Sequence, residues 1–276
     1  MLGHILRSRM IRKTLKATQA ATWSINLPDN KGMPVPTGTG FFVSPEGWFI
    51  TAAHVVSKNE QGNPKVRDDI DKGDLMKEGR SKEDWGCKLL QQLAVEFVDF
   101  KTDLALLRVD FEANRKKDSM KGKSAFHYIE VSSRELDEGE AVYSFGYPLA
   151  KAITHDLEGA IIGESELCPR ITSAIVSSNF ERTRMVMAYK EPKVYVLDKA
   201  LNYGNSGGPI LSVETGKVHA ICSWFQPVFI PQPHLRIPNG EPLKVMVPSL
   251  YGVVSSLANA SILEKLREKG VPISST

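Results

Sequence analysis

The sequence predicts an all-β chain built as two successive β-barrels, and three observations carry that prediction. Short apolar segments recur along most of the chain with turn residues between them, the pattern of barrels and sandwiches. With 276 residues and 42% hydrophobic content, the chain can fill one substantial core or two small ones that share an interface. Three segments able to carry chemistry, around His54, Asp103 and Ser206, follow one another with spacings that suit two barrels in series.

The first element is basic. Leu2, Ile5, Leu6, Met10 and Leu15 interleave with Arg7, Arg9, Arg12, Lys13 and Lys16, which reads as a short helix over part of residues 1–21, packed on the first barrel or frayed from it. Residues 22–27 alternate as a strand should, and 28–36 is a turn-rich connection. Residues 39–43, the turn Ser44-Pro45-Glu46-Gly47 and residues 48–51 read as a hairpin that delivers His54 to the end of a strand. Residues 58–88 are crowded with charge and are expected to form a solvated loop with a short helix. Val95, Phe97 and 104–109 form strands around Asp103, and 112–123 is a polar loop.

A crossing over 131–139 leads to a second series of strands at 141–145, 171–177, 185–188 and 194–197. A hairpin over 210–224 lies behind Ser206. Five prolines between Phe225 and Pro242 predict an irregular loop on the substrate side. The end is expected to be helical, with Leu250, Val253, Val254 and Leu257 on one face. A capping signature at Ser261-Ile262-Leu263-Glu264 opens a last helix, stopped by Gly270 and Pro272.

The chemistry centres on Gly204-Asn205-Ser206-Gly207-Gly208-Pro209. Glycines around one serine let the backbone turn sharply and approach other backbone closely, which is how a nucleophile is presented. A serine hydroxyl is weak at neutral pH and needs a base, itself oriented by a third group. His54 in Ala52-Ala53-His54-Val55-Val56 and Asp103 in Thr102-Asp103-Leu104-Ala105 are the candidates. His4, His127, His155, His219 and His234 have no comparable setting.

These three motifs, with Gly38-Thr39-Gly40-Phe41, Phe145-Gly146-Tyr147-Pro148 and Ile171-Thr172-Ser173-Ala174-Ile175-Val176-Ser177, resemble the trypsin-like (chymotrypsin-fold) serine proteases and, within them, the HtrA/Deg group. The resemblance runs from about Trp23 to Leu257. It implies two six-stranded antiparallel barrels of the chymotrypsin fold with the active site between them and short C-terminal helices. The protease domain would span 22–257, with barrels at about 22–135 and 140–247, and 258–276 would form a C-terminal helix and tail.

By the same resemblance, Ser206 is the nucleophile, His54 the base and Asp103 its orienter, while the N–H groups of Gly204 and Ser206 form the oxyanion hole. Ala200 and Leu201 would lie at the base of the specificity pocket, with Asn202 and the strand Ser223-Trp224-Phe225 shaping its walls. Neither Ala200 nor Leu201 pairs with a cationic side chain, so cleavage after small or medium aliphatic residues is expected. Asn205 is neutral where zymogen-activated trypsins carry an aspartate, which implies control by loop ordering. The rival expectation is a protease-like binding or chaperone module, inactive until a partner or peptide orders its loops. The PDZ modules common in the group have no room after Val247, and a homo-oligomer or regulatory partner stays open.

Composition narrows the classes further. The net charge is +3, but the first 28 residues carry five Lys or Arg and no acid, so the body is slightly acidic and shows no nucleic-acid footprint. No apolar run is long enough for a transmembrane segment. Three scattered cysteines, Cys87, Cys168 and Cys222, lack metal-ligand spacing and suit a reducing compartment. No cofactor or metal is expected. A cytoplasmic location follows from the cysteines, with an organelle matrix or membrane surface as the alternative suggested by the basic start.

Overall fold

The computed structural model describes residues 14–275 apart from 82–83, 149–150, 158–159, 168, 184–189, 200, 202 and 237–239. A helix over residues 14–21 (α1) leads into the first sheet, buries Thr18 and Ala21, and leaves Lys16 exposed.

The first sheet contains β1 (Thr22–Pro28), β2 (Pro34–Phe42) and β3 (Trp48–Ala52). A small outer hairpin, β4 (Ser57–Glu60) and β5 (Asn63–Val66), precedes β6 (Asp74–Ser81), β7 (Asp84–Leu90), β8 (Leu93–Asp99) and β9 (Leu104–Val109). The strand order is β7-β6-β1-β2-β3-β9-β8. β7 and β8 are separated only by Gln91 and Gln92, and Gln92 takes φ 63°. The two therefore act as one strand bent at a corner, pairing with β6 at one end and β9 at the other. Counted so, six strands wrap round the core.

The charged segment 58–88 is thus mostly strand, contrary to the loop expected, although its short helix exists as a 3-10 turn at Ile70–Lys72. Charge density misled because β6 needs few inward residues; Leu75 and Leu90 pair across it and are fully buried. The polar loop 112–123 likewise holds a helical turn, α2 (Phe111–Asn114), capped by Asp110.

The second sheet follows β10 (Val131–Ser132) and comprises β11 (Ala141–Gly146), β14 (Arg170–Thr183), β15 (Lys190–Leu197), β16 (Pro209–Ser212), β17 (Val218–Arg236) and β18 (Pro242–Ser256). A separate hairpin, β12 (Lys151–Leu157) and β13 (Ala160–Glu166), intervenes. β16 pairs with both β11 and β17, which closes six strands into a ring. The chain is therefore mainly β and has the two-barrel chymotrypsin architecture. The strand expected at 185–188 lies outside the described residues.

Two C-terminal expectations are overturned. The loop expected over 225–242 is a two-stranded ribbon, with β17 and β18 paired from Ala220↔Ser256 out to Arg236↔Pro242. Prolines are tolerated because, among the described residues, the strand beyond Phe225 pairs on one edge only, so a missing N–H breaks no second ladder, and bulges absorb the misfits. The helix expected around 250–257 is strand β18, so the barrel runs past the predicted limit near 247. Val253 and Val254 are both buried, one towards each side of a covered strand, and their spacing from Leu250 and Leu257 imitated a helical stripe.

The last helix, α3 (Ala260–Glu268), starts one residue before the expected signature, with Asn259 rather than Ser261 as its cap. It buries Ile262, Leu263 and Leu266 in the same cluster as Trp23, Phe41, Phe42 and Phe49 of the first barrel. Lys269 Nζ reaches Glu96 of β8 at 3.0 Å. β19 (Ile273–Ser274) then pairs with β10.

Candidate active site

His54 and Asp103 meet because their strands are neighbours. β3 and β9 run antiparallel with Ala52 opposite Leu104, so the residues just beyond the end of β3 face those just before β9. The ladder continues one step further, Ala53 N–H donating to the Asp103 carbonyl at 2.9 Å. His54 then sits in a 3-10 turn, Ala53–Val56. Asp103 takes φ 53°, a left-handed conformation that aspartate adopts more readily than most residues.

This geometry makes the carboxylate a collecting point. Asp103 Oδ1 accepts from the His54 backbone N–H at 3.0 Å, and Oδ2 lies 2.8 Å from His54 Nδ1. Ser223 Oγ donates to the same Oδ2. With its proton on Nδ1, the imidazole presents Nε2 as an acceptor. The Asp103 side chain is 13% exposed and that of His54 48%, so the acid is shielded while the base is open to a reactant.

Ser206 belongs to the loop between β15 and β16. Gly204 and Gly207 take φ 92° and 81°. At Gly207, a Cβ would stand 2.2 Å from Thr51 Oγ1 and 2.3 Å from the Thr39 carbonyl, so only glycine lets this loop press against the first barrel beside His54. Gly207 N–H donates to the Cys222 carbonyl at 2.7 Å and Cys222 N–H to the Gly208 carbonyl at 2.8 Å, which binds the loop to β17.

His54, Gly204 and Ser206 line one cavity of about 300 Å³ with Leu201, Ser223 and Trp224. Among the described residues, neither the Gly204 nor the Ser206 N–H has a hydrogen-bond partner, and no hydrogen bond joins Ser206 Oγ to His54. Two backbone donors, a hydroxyl and an oriented imidazole thus border the same space. That set can attack a carbonyl and hold the oxyanion that results.

The remaining expected residues divide. Leu201 is buried and lies against Gly252, where a Cβ would come within 3.0 Å of its Cγ. Trp224 is part-exposed at the cavity wall. The Phe225 backbone pairs with Gly252 in β17 and β18. Ala200 and Asn202 lie outside the described residues. Thr37, Tyr203 and Cys222 also line the cavity although the sequence marked none of them for it. Tyr203 is 63% exposed, and its one signal was its place beside Gly204. Cys222 is buried, and that burial pushes its thiol up to about 12.

Comparison with known proteins bears on the family and the fold. A family model described as a trypsin-like peptidase domain matches residues 38–221. Human serine protease HTRA4 is 28% identical over 194 residues, 70% of this chain and 31% of that protein. A probable periplasmic serine endoprotease DegP-like of Rickettsia prowazekii (strain Madrid E) is 25% identical over 195 residues, 70% of this chain and 29% of that protein. The chain therefore spans about a third of the length of the curated relatives it matches. Among solved structures, the HtrA-type protease AlgW with a decapeptide superposes with TM-score 0.54 at 15% identity, covering 94% of this chain and 66% of that one. The serine endoprotease from Yersinia pestis gives 0.51 at 17% identity, covering 95% and 68%. These two likenesses establish the fold.

Proposed function

The chain belongs to the trypsin-like peptidase family, and from that premise we propose that it is a serine endopeptidase acting through Ser206, His54 and Asp103. The observation that carries the reading is the meeting of an Asp103-bound imidazole, a serine hydroxyl and two unpaired N–H groups at one cavity. Ser206 Oγ attacks the peptide carbonyl while His54 Nε2 takes its proton. The tetrahedral oxyanion is held by the Gly204 and Ser206 N–H groups. His54 returns the proton to the leaving amine, and water then hydrolyses the acyl-enzyme by the same route. Each aimed donor contributes about 3–4 kcal/mol to such a transition state.

The substrates are proteins or peptides cleaved after small or medium aliphatic residues. Apolar Leu201 beside Gly252 supports this, because a buried cationic side chain there would lose its hydration at a cost of several kcal/mol. The open link between Ser206 and His54 supports a second reading, a protease-like binding or chaperone module whose site is completed only when a peptide or partner orders its loops. A fluorophosphonate probe separates the two: rapid labelling of Ser206 in the isolated chain supports the peptidase, and its absence the module. A peptide library tests the pocket, with preferred cleavage after Arg or Lys refuting it.

Localisation rests on the thiols. Among the described residues no helix is long and apolar enough to cross a membrane. Cys87 and Cys222 are free thiols, which supports a reducing compartment such as the cytoplasm. The Rickettsia relative is described as periplasmic, and fractionation of cells expressing the chain distinguishes the two.

A further inference from the structure

An oxyanion hole works only if its donors are already aimed when the negative charge forms. Gly204 and Ser206 sit on a loop of the second barrel whose glycines leave it free to turn, so something must hold their two peptide groups in place. The loop is bound to its own barrel through Gly207 and Gly208, and the Gly208 N–H meets the Asn205 carbonyl, but the carbonyls of Gly204 and Ser206 are held from the opposite barrel.

Thr39 on β2 is fully buried and grips the loop twice. Its backbone N–H donates to the Ser206 carbonyl at 2.8 Å. Its hydroxyl donates to the Gly204 carbonyl at 2.6 Å, across 165 residues of chain. The same hydroxyl accepts the Tyr147 N–H at 3.0 Å, which fixes the direction in which its proton points. The Thr39 carbonyl in turn accepts from Thr51 Oγ1 at 2.7 Å, so the gripping residue is itself anchored. One side chain and one N–H therefore bracket the two cavity-lining residues whose N–H groups have no partner among the described residues.

We infer that Thr39 is a positioning residue for the oxyanion hole, its hydroxyl locking the Gly204 carbonyl so that the Gly204 N–H keeps its aim. The inference rests on the serine-peptidase reading. Glycine at 204 has no side chain to resist rotation about its φ and ψ, and the carbonyl is the one group on that residue that can be tied without touching the N–H. Without the hydroxyl, the peptide linking Gly204 to Asn205 is free to turn, and the Gly204 donor turns with the loop. Substrate binding by the Ser223-Trp224 wall is untouched. The loss falls on the transition state alone, which separates this role from general support of the fold.

The test is a graded series at one atom, Thr39→Ser, Thr39→Cys and Thr39→Val, read as kcat and KM on a peptide amide and as the rate of fluorophosphonate labelling. Serine keeps a strong donor, cysteine a weak one and valine none at nearly the same shape. Expected are kcat within about threefold of the parent for serine, a loss of about tenfold for cysteine and about a hundredfold for valine, with KM unchanged and labelling slowed in parallel. Thermal melts establish which variants fold; if valine does not, the serine and cysteine pair decides. A folded valine or cysteine variant with parental kcat, or a loss confined to KM, overturns the inference. A parent chain that neither cleaves peptides nor labels at Ser206 overturns the peptidase reading itself, a result distinct from any difference among the variants.

Discussion

The two halves of the candidate site are built on opposite plans. On the orienting side, whose His54 and Asp103 come from the first barrel, Asp103 receives the His54 backbone N–H, the His54 ring and, from the second barrel, the Ser223 hydroxyl, and its carbonyl takes the Ala53 N–H. On the reacting side, supplied by the second barrel, Ser206 Oγ has no bond to His54 and two backbone donors stand unpaired among the described residues. Groups whose direction must stay constant are bonded fully by the protein. Those that must change partner during a reaction are left for the substrate to complete, which avoids breaking an existing bond at each turnover. The comparison also says where damage is tolerated: the donors that converge on Asp103 are redundant, whereas the carboxylate itself and the reacting groups are not.

The sharpest way to break that comparison is Ser206→Ala. It should lower kcat by about 10⁶-fold while the melting temperature stays within a few degrees, since the hydroxyl carries no structural bond. Residual peptide hydrolysis near the parental rate, measured by active-site titration and turnover, would remove Ser206 from the chemistry. Asp103→Asn tests the orienting side at its centre. An amide presents a donor where Nδ1–H needs an acceptor, favouring the wrong tautomer, and a loss of about 10⁴-fold in kcat is expected. A stopped-flow assay showing less than tenfold loss would mean that His54 is held by its backbone alone.

Ser223→Ala sharpens the claim of redundancy. It removes one of several donors to the same carboxylate, so kcat should fall by only about tenfold, corresponding to about 1.4 kcal/mol. A loss as large as that of Asp103→Asn would show that the bonds are not interchangeable.

The smallest expected effect concerns His219, which is fully buried in β17, bonds the Arg134 carbonyl through Nδ1 at 2.9 Å and leaves Nε2 unpaired. Burial, the largest influence on it, holds its pKa below the ordinary value. The unfolded chain therefore binds more protons, so the stabilisation is complete above an unfolded pKa of about 6.5 and is lost as pH falls below it. Unfolding free energies from urea melts at pH 7.5 and 5.5 should fall further in the parent than in His219→Gln. His127, also lowered by burial, leaves a residual slope in both. Equal slopes would mean that His219 charges without cost.

Much of this organisation was legible in the sequence, and the gaps have physical causes. β1, β3, β9 and the later part of β2 read correctly because their apolar residues are concentrated and their turns carry Pro, Gly and Asn, while Pro34–Pro36 of β2 reads as connection because its prolines signal a turn. The segments of His54, Asp103 and Ser206 stood out because glycine and small residues crowd round reactive ones. The ribbon of β17 and β18 did not, because proline signals a break unless one knows that a strand edge is unpaired. Val253 and Val254 read as a helix face because two adjacent buried residues fit either period when both sides of a strand are covered. The Ser223 bond to Asp103 and the Thr39 bond to Gly204 had no sequence signal, since they join residues 120 and 165 apart through the meeting of two barrels.

The docking of α3 has a consequence for the order in which the protein is made. A chain leaving the ribosome completes its first barrel's strands by Val109, yet Ile262 and Leu266, which share that barrel's apolar cluster, emerge more than 150 residues later. Until then the patch they cover is exposed to water and to other chains, a hazard that favours association with whatever apolar surface is nearby. The loop bearing Ser206 also cannot seat against Thr39 and Thr51 before the second barrel exists. The candidate site is consequently assembled only once the strands of the second barrel have been made, so a chain interrupted before them lacks it.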